Sequence, residues 1–326
     1  MIDNVPPIRN RWEESERVMA NPGFRFAGPD VKIKDISRGL MTNVVPISVS
    51  GTRGAGKSDF FDALVGAGPT DSGMSRELES HDIEVSRGGR KVTCTIVVPP
   101  AQDGQIKKKA FEGFFEHQHF PRGAIHVVSG GYDRVWRDEE QLPLLEELRY
   151  ETAREEDRVA ALLGQTMAGE EITQVLIDKH MPTPGQLLRK VMRVAELQEF
   201  KDVCRALASA WRQAETDEKL WLIIVVTKAD LWWQDHLDEI KSYYLPPATG
   251  PGSPFTGALR ALGQAVGTKL VNVAVLPFAS NNSTFSFGDL IADSTEPHVQ
   301  ASCLDDESIT ALQQALRHTL GEFNGV

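Results

Sequence analysis

Cysteine is scarce: the 326 residues include only Cys94, Cys204 and Cys303. An odd, widely spaced set excludes a disulfide scaffold and a cysteine-based zinc site, and it points to reduced thiols in a cytoplasm. Long apolar runs are missing as well. The longest, residues 220–226, is far below the roughly 20 residues a membrane-spanning helix needs, and it reads as a buried strand. Residues 1–18 have no apolar core, so no secretory signal is expected. Positive charge is in deficit, with 35 Lys and Arg against 46 Asp and Glu and a formal net charge of −11. That balance argues against a general role on nucleic acid or on an anionic membrane, both of which need a basic surface. Internal repeats and low-complexity segments are absent, which excludes a solenoid.

What remains is an ordinary globular composition, 41% hydrophobic and 25% charged, long enough for one large domain or two small ones. Residues 1–42 are rich in Pro, Arg, Asn and Gly and read as an extended appendage with one short helix near 11–19. From residue 43 the pattern alternates. Strands are expected at 44–50, 81–86, 91–98, 123–129, 220–226 and 271–278, and helices at 59–65, 107–120, 255–266 and 307–322. Gly88-Gly89 joins two of the strands as a hairpin. A long helical region fills about 138–215, where Leu188, Met192, Ala195, Val203, Leu207 and Trp211 follow one face. Strands separated by helices predict an α/β fold of three layers, with a mostly parallel sheet and the hairpin as one antiparallel edge.

The strand at 44–50 runs into Gly51-Thr52-Arg53-Gly54-Ala55-Gly56-Lys57-Ser58, which fits the phosphate-loop pattern G-x-x-x-x-G-K-[ST]. Glycines let the backbone wrap around phosphate oxygens, and the helix that follows turns its positive dipole end toward them. Lys57 would reach the β- and γ-phosphates and Ser58 would coordinate Mg²⁺. A second pattern, Thr227-Lys228-Ala229-Asp230, closes the apolar strand 220–226 and resembles the guanine-reading motif [NT]-K-x-D of GTPases, a resemblance that implies the following base contacts. An aspartate there can accept two hydrogen bonds from guanine, a donor pair that adenine lacks, while the lysine stem covers the base with its ammonium left free toward the loop. The bland alternative is a helix N-cap at Asp230.

These two motifs carry a resemblance. The chain resembles a small-GTPase-like P-loop GTPase of the translation-factor class, a divergent bacterial type with a helical insertion. The resemblance covers about 43–326 once an insertion at about 134–182 is set aside. It implies a three-layer P-loop NTPase fold that binds GTP or GDP with Mg²⁺. It also implies a third base contact from the backbone of Ser280, and a Thr in the loop 66–80 closing on the metal, for which Thr70 is preferred over Ser72 and Ser75. Where the family carries D-x-x-G, this chain has Val98 and Ala101 in place of Asp and Gly. Gln102 remains, either to orient a water, as the family glutamine does, or as a solvated polar residue of the loop. Arg53 replaces a small residue beside the γ-phosphate, where it can serve as a built-in arginine finger, displace the attacking water, or point to solvent and pair with an acidic residue; Arg76 is a second candidate finger.

Other clusters read more plainly. The pairs Glu139-Glu140, Glu146-Glu147 and Glu155-Glu156 look like a solvated helix face. His117, His119 and His126 lack metal-like spacing. Trp232-Trp233 read as packing residues. The sequence thus predicts a slow, Mg²⁺-dependent GTPase that acts as a switch or assembly factor. A protein partner would meet it through the switch loops or the insertion, and a homodimer is possible. A non-hydrolysing pseudo-GTPase and, further off, an ATP-dependent P-loop enzyme are the alternatives.

Overall fold

The computed structural model describes residues 8–20, 30–36, 45–66, 79–98, 121–133, 138–166, 173–213, 219–247, 250–282, 284–286 and 299–325. Thr70, Gln102, Ser72, Ser75 and Arg76, the expected helix at 107–120, His117 and His119 lie outside the described residues.

The chain is an α/β protein built on an eight-stranded sheet. In chain order its strands are β1 (Ile8–Asn10), β2 (Lys32–Ile36), β3 (Val45–Gly51), β4 (Glu79–Arg87), β5 (Arg90–Val98), β6 (Gly123–Val128), β7 (Leu220–Val226) and β8 (Leu270–Pro277). They lie side by side as β1-β8-β7-β6-β3-β5-β4-β2. All neighbours are parallel except β4, which runs against both β5 and β2. A small antiparallel pair, β9 (Thr284–Ser286) and β10 (Val299–Ala301), stands apart from this sheet.

The central strands explain their own sequence. In β7 the alternate residues Leu220, Leu222, Ile224 and Val226 enter one core, and Trp221, Ile223 and Val225 enter the other. A strand buried on both faces needs apolar side chains at every position, hence the unbroken run. The first core is closed by helices α1 (Trp12–Ala20), α3 (Asp138–Thr166), α5 (Pro184–Gln213), α6 (Ala229–Trp232), α7 (Leu237–Tyr244) and α8 (Pro254–Val266). The second is closed by α2 (Lys57–Val65), through Phe60, Phe61 and Leu64, and by α9 (Asp306–Phe323), through Leu316 and Leu320. A short helix α4 (Gln174–His180) packs its Ile177 against Val159 and Leu163 of α3.

Three expectations are corrected. The hairpin is not an edge, because β2 pairs outside β4 over Lys32–Ile36. The described parts of 1–42 do not stand apart either: β1 adds a parallel strand beside β8, and the fully buried Trp12 packs 5.6 Å from Trp232. The acidic helix face is only partly solvated. Glu146 and Glu147 are exposed, but Glu155 is buried on α3 and pairs with Lys190 of α5 at 3.2 Å. Among the described residues no helix is long and apolar enough to cross a membrane.

Candidate functional site

Parallel strands deliver their following loops to one edge. Here the turns after β3, β6, β7 and β8 meet at the carboxyl edge of the sheet. The chain leaves β3 toward β5 on one side and returns to β6 on the other, so strand order reverses at β3. Crevices at such reversals are the usual ligand sites of open α/β sheets.

The 51–58 segment has the local form its sequence predicts. Gly51 ends β3 with φ +147°, and a Cβ there would sit 2.1 Å from the Val127 carbonyl oxygen of β6. Only glycine fits a strand pressed so closely to its neighbour. A tight turn follows, with the Ala55 amide donating to the Thr52 carbonyl at 3.4 Å. Gly56, at φ +84°, leads into α2, whose first turn has no side-chain cap. A helix amino terminus is electrostatically suited to an anion. Lys57 is buried and curls back over the loop, donating to the carbonyls of Gly51 at 2.8 Å and Thr52 at 2.7 Å. Ser58 follows it in the helix, half-buried, and Arg53 is half-buried in the turn.

The 227–230 turn is tied directly to this loop, although 172 residues separate the bonded positions Ala55 and Thr227. The Thr227 hydroxyl donates to the Ala55 carbonyl at 2.6 Å and to Val128 at 3.0 Å. The Lys228 ammonium donates to the Gly54 carbonyl at 2.9 Å and also to Tyr132 O. It is thus engaged by the loop and is not free, as the sequence reading had it. Lys228 adopts φ +56°, the one positive value at a non-glycine among the described residues. Such a backbone costs about 1–3 kcal/mol and persists where surrounding contacts fix it, typically at functional sites. Those contacts are evident: the Trp232 indole donates to the Thr227 carbonyl at 2.8 Å, and the Ala229 amide donates to Phe278 O at 3.0 Å. The second bond brings the loop after β8 alongside. There Ser280 is half-buried, and its carbonyl accepts from Gln313 at 2.9 Å.

Asp230 is only 1% exposed. The Cys303 amide donates to its carbonyl at 2.6 Å, and the Gln300 side chain donates to the next carbonyl, of Leu231. The strand β10 and the residues after it therefore lie against this turn. Val98 is buried at the end of β5.

Two carboxylates missed in the sequence complete the site. Asp133, in the turn after β6, accepts from the Thr52 hydroxyl at 2.9 Å. Burial first, and then the nearby Glu196 carboxylate, push its carboxyl up to about 7, against the pull of Lys228, Thr52 and Ser129. Burial also draws the Lys228 ammonium down, opposed mainly by Asp133. Glu196 of α5 is fully buried. Its Oε1 accepts from the Ser129 amide at 2.8 Å, the Ser129 hydroxyl at 3.0 Å and the Gly131 amide at 3.2 Å, and its Oε2 accepts from the Tyr244 hydroxyl. The sequence did hold a signal for it. Buried positions on α5 run 188, 192, 196, 200, 204 and 208, whereas Ala195, expected on that face, is exposed.

His126 is buried beside Ser50, with Oγ and Nδ1 3.0 Å apart, and no metal-binding cluster occurs among the described residues. Neither protein-family models nor curated protein sequences yield a match to this chain.

Proposed function

We propose that the protein is a Mg²⁺-dependent GTP-binding protein of the P-loop NTPase fold, a slow GTPase that works as a switch or assembly factor. One observation carries this reading. Two motifs read separately, one for phosphates and one for guanine, are joined by the hydrogen bonds from Thr227 to Ala55 and from Lys228 to Gly54. A single ligand carrying phosphates and a base would span that junction. Lys57 and the α2 amino terminus would take the phosphates, and Ser58 would hold Mg²⁺, which offsets phosphate charge and fixes its geometry. Lys228 and Asp230 would take the base, with the Ser280 amide beside it. Gln102, Arg53 and Thr70 keep the roles that the resemblance implies for them. A protein partner reading the switch loops or the α3–α4 helices belongs to the same proposal. A second reading, a non-hydrolysing binder, is favoured by Val98, since an apolar side chain there cannot support the metal.

Competition between fluorescent GTP and ATP with Mg²⁺, followed to phosphate release, tests both. GTP is expected to be preferred, and Asp230→Ala to lower GTP affinity at least tenfold, about 1.4 kcal/mol or more, with little effect on ATP. An ATP preference, or an Asp230→Ala protein that binds GTP normally, sinks the guanine assignment. GTP binding without phosphate release leaves the pseudo-GTPase.

Because Asp230 is covered, base binding on this reading requires the chain around Cys303 to shift. Cys303 is the exposed thiol, and Cys94 and Cys204 are buried. Thiol labelling should therefore report on Cys303, and saturating Mg²⁺·GTP should change its rate severalfold while Mg²⁺·pyrophosphate does not. Equal rates in all three conditions would show that the base never reaches this turn.

A further inference from the structure

Two carboxylates and one ammonium converge in the interior against the underside of the 51–56 turn. Glu196 has both oxygens occupied by amides and hydroxyls of Ser129, Gly131 and Tyr244. Asp133 is bonded to the Thr52 hydroxyl, and Lys228 to Gly54 and Tyr132. With all three ionised this buried group carries one negative charge in excess, in a place where an unbalanced charge is costly. A single proton removes the excess. Glu196 accepts four hydrogen bonds, and burial together with that neighbouring carboxylate pushes the Asp133 carboxyl up.

Further charges surround the group. Lys57 lies across Thr52, bonded to its carbonyl. Arg189 stands 5.4 Å above the ring of Tyr132, next to Asp133 in the chain. Asp59 and Asp230 add negative potential at Lys228.

We propose that Asp133 takes up a proton when a phosphate-bearing ligand binds the 51–58 loop, so that affinity falls as pH rises through the midpoint of the free carboxyl. The inference rests on the phosphate-loop reading. An anion arriving over Thr52 adds negative potential at Asp133 and strengthens its hold on a proton. By linkage, protonating Asp133 must then strengthen anion binding to the same degree. The sign follows from the charge of the anion; in the free protein burial and the Glu196 carboxylate already push the Asp133 carboxyl up to about 7. Ligand moves that midpoint higher. Below it both states carry the proton and affinity is level; above it the free state has lost the proton, and affinity drops by at most about tenfold per pH unit. Phosphate groups are fully ionised in that range and contribute no slope of their own.

The test is calorimetric titration of Mg²⁺·GTP at pH 7.0, 7.75 and 8.5 in two buffers of different protonation enthalpy. Wild type, Asp133→Asn and Asp133→Glu are compared, with thermal melts confirming that each is folded. Wild type should take up a fraction of a proton that is largest between the free and bound midpoints, and should lose affinity severalfold over the series. Asp133→Asn, which keeps an oxygen for Thr52 but cannot titrate, should take up none, lose the slope and bind more tightly than wild type at pH 8.5. Asp133→Glu should retain the slope, which a merely structural role for the position does not predict. Wild-type binding without proton uptake overturns the inference and leaves the phosphate loop intact, as does an Asp133→Asn protein that keeps or steepens the slope, which would assign the proton to Lys228. Absence of binding in wild type at every pH removes the phosphate-loop reading, and this inference with it.

Discussion

Glu196→Ala is expected to destabilise the fold by about 3 kcal/mol, and Glu196→Gln by less than about 1 kcal/mol. The difference lies in the hydrogen-bond geometry. Three donors, the Ser129 amide, the Ser129 hydroxyl and the Gly131 amide, converge on one oxygen, Oε1, while Oε2 accepts from Tyr244 alone. Alanine strands all of them in a buried site, and each orphaned donor costs on the order of 1–3 kcal/mol, reduced where the cavity left by the side chain admits a water. Glutamine keeps the Oε1 acceptor. Its amide can donate to Tyr244, whose hydroxyl only has to rotate. Equilibrium urea unfolding of the two variants measures the gap. Equal losses would mean that the negative charge, and not the acceptor geometry, is what the site requires. Two neutral variants would remove Glu196 from the structural account.

The same residue shows where sequence reasoning stops. The outline of the sheet was legible because its central strands are buried on both faces. A run such as Leu220–Val226 has no other stable use in a chain of this composition, and its bounds match the expected ones. The glycine pattern of 51–58 was legible because backbone geometry demands it: Gly51 has no room for a Cβ. The edge strands were not. Ile8–Asn10 and Lys32–Ile36 are three and five residues long and are held by neighbours far away in sequence, so they carry little local signal. The helix Leu237–Tyr244 was missed because it is short, and Ala229–Trp232 entered only as the alternative of a helix capped at Asp230, whereas its N-cap is Lys228. Glu196 and Asp133 were passed over for a different reason. A carboxylate in a helix or a loop is usually solvated, and only the fold shows donors converging on it. A four-residue rhythm from Leu188 through Phe200 placed Glu196 in the middle of an apolar stripe, and that conflict was the available clue.

Lys57→Met separates binding from folding most sharply. The Lys57 ammonium is buried at the first position of α2, where the helix dipole is also positive, and the carbonyls of Gly51 and Thr52 receive it. Two opposing effects act on stability. Methionine fills nearly the same volume and removes a desolvated charge from an unfavourable place, but it leaves the two carbonyls without the ammonium. Each effect is of order 1–3 kcal/mol, so the net change is expected to stay within about 1 kcal/mol. Binding has no such compensation. On the phosphate-loop reading, the ammonium leaves its two carbonyls for ligand oxygens, and charge-assisted contacts of that kind in a sheltered site contribute roughly 3–4 kcal/mol. Mg²⁺·GTP affinity should therefore fall by about 10²–10³, while the urea midpoint barely moves. Titration and unfolding of one preparation give both numbers. A variant that binds GTP as wild type does would show that the loop holds no phosphate. One that loses its fold would show that the lysine is present for its two carbonyls. The expected split would mean that the empty protein keeps a charge poised against its own backbone, at little net benefit to the fold, until a ligand takes it over.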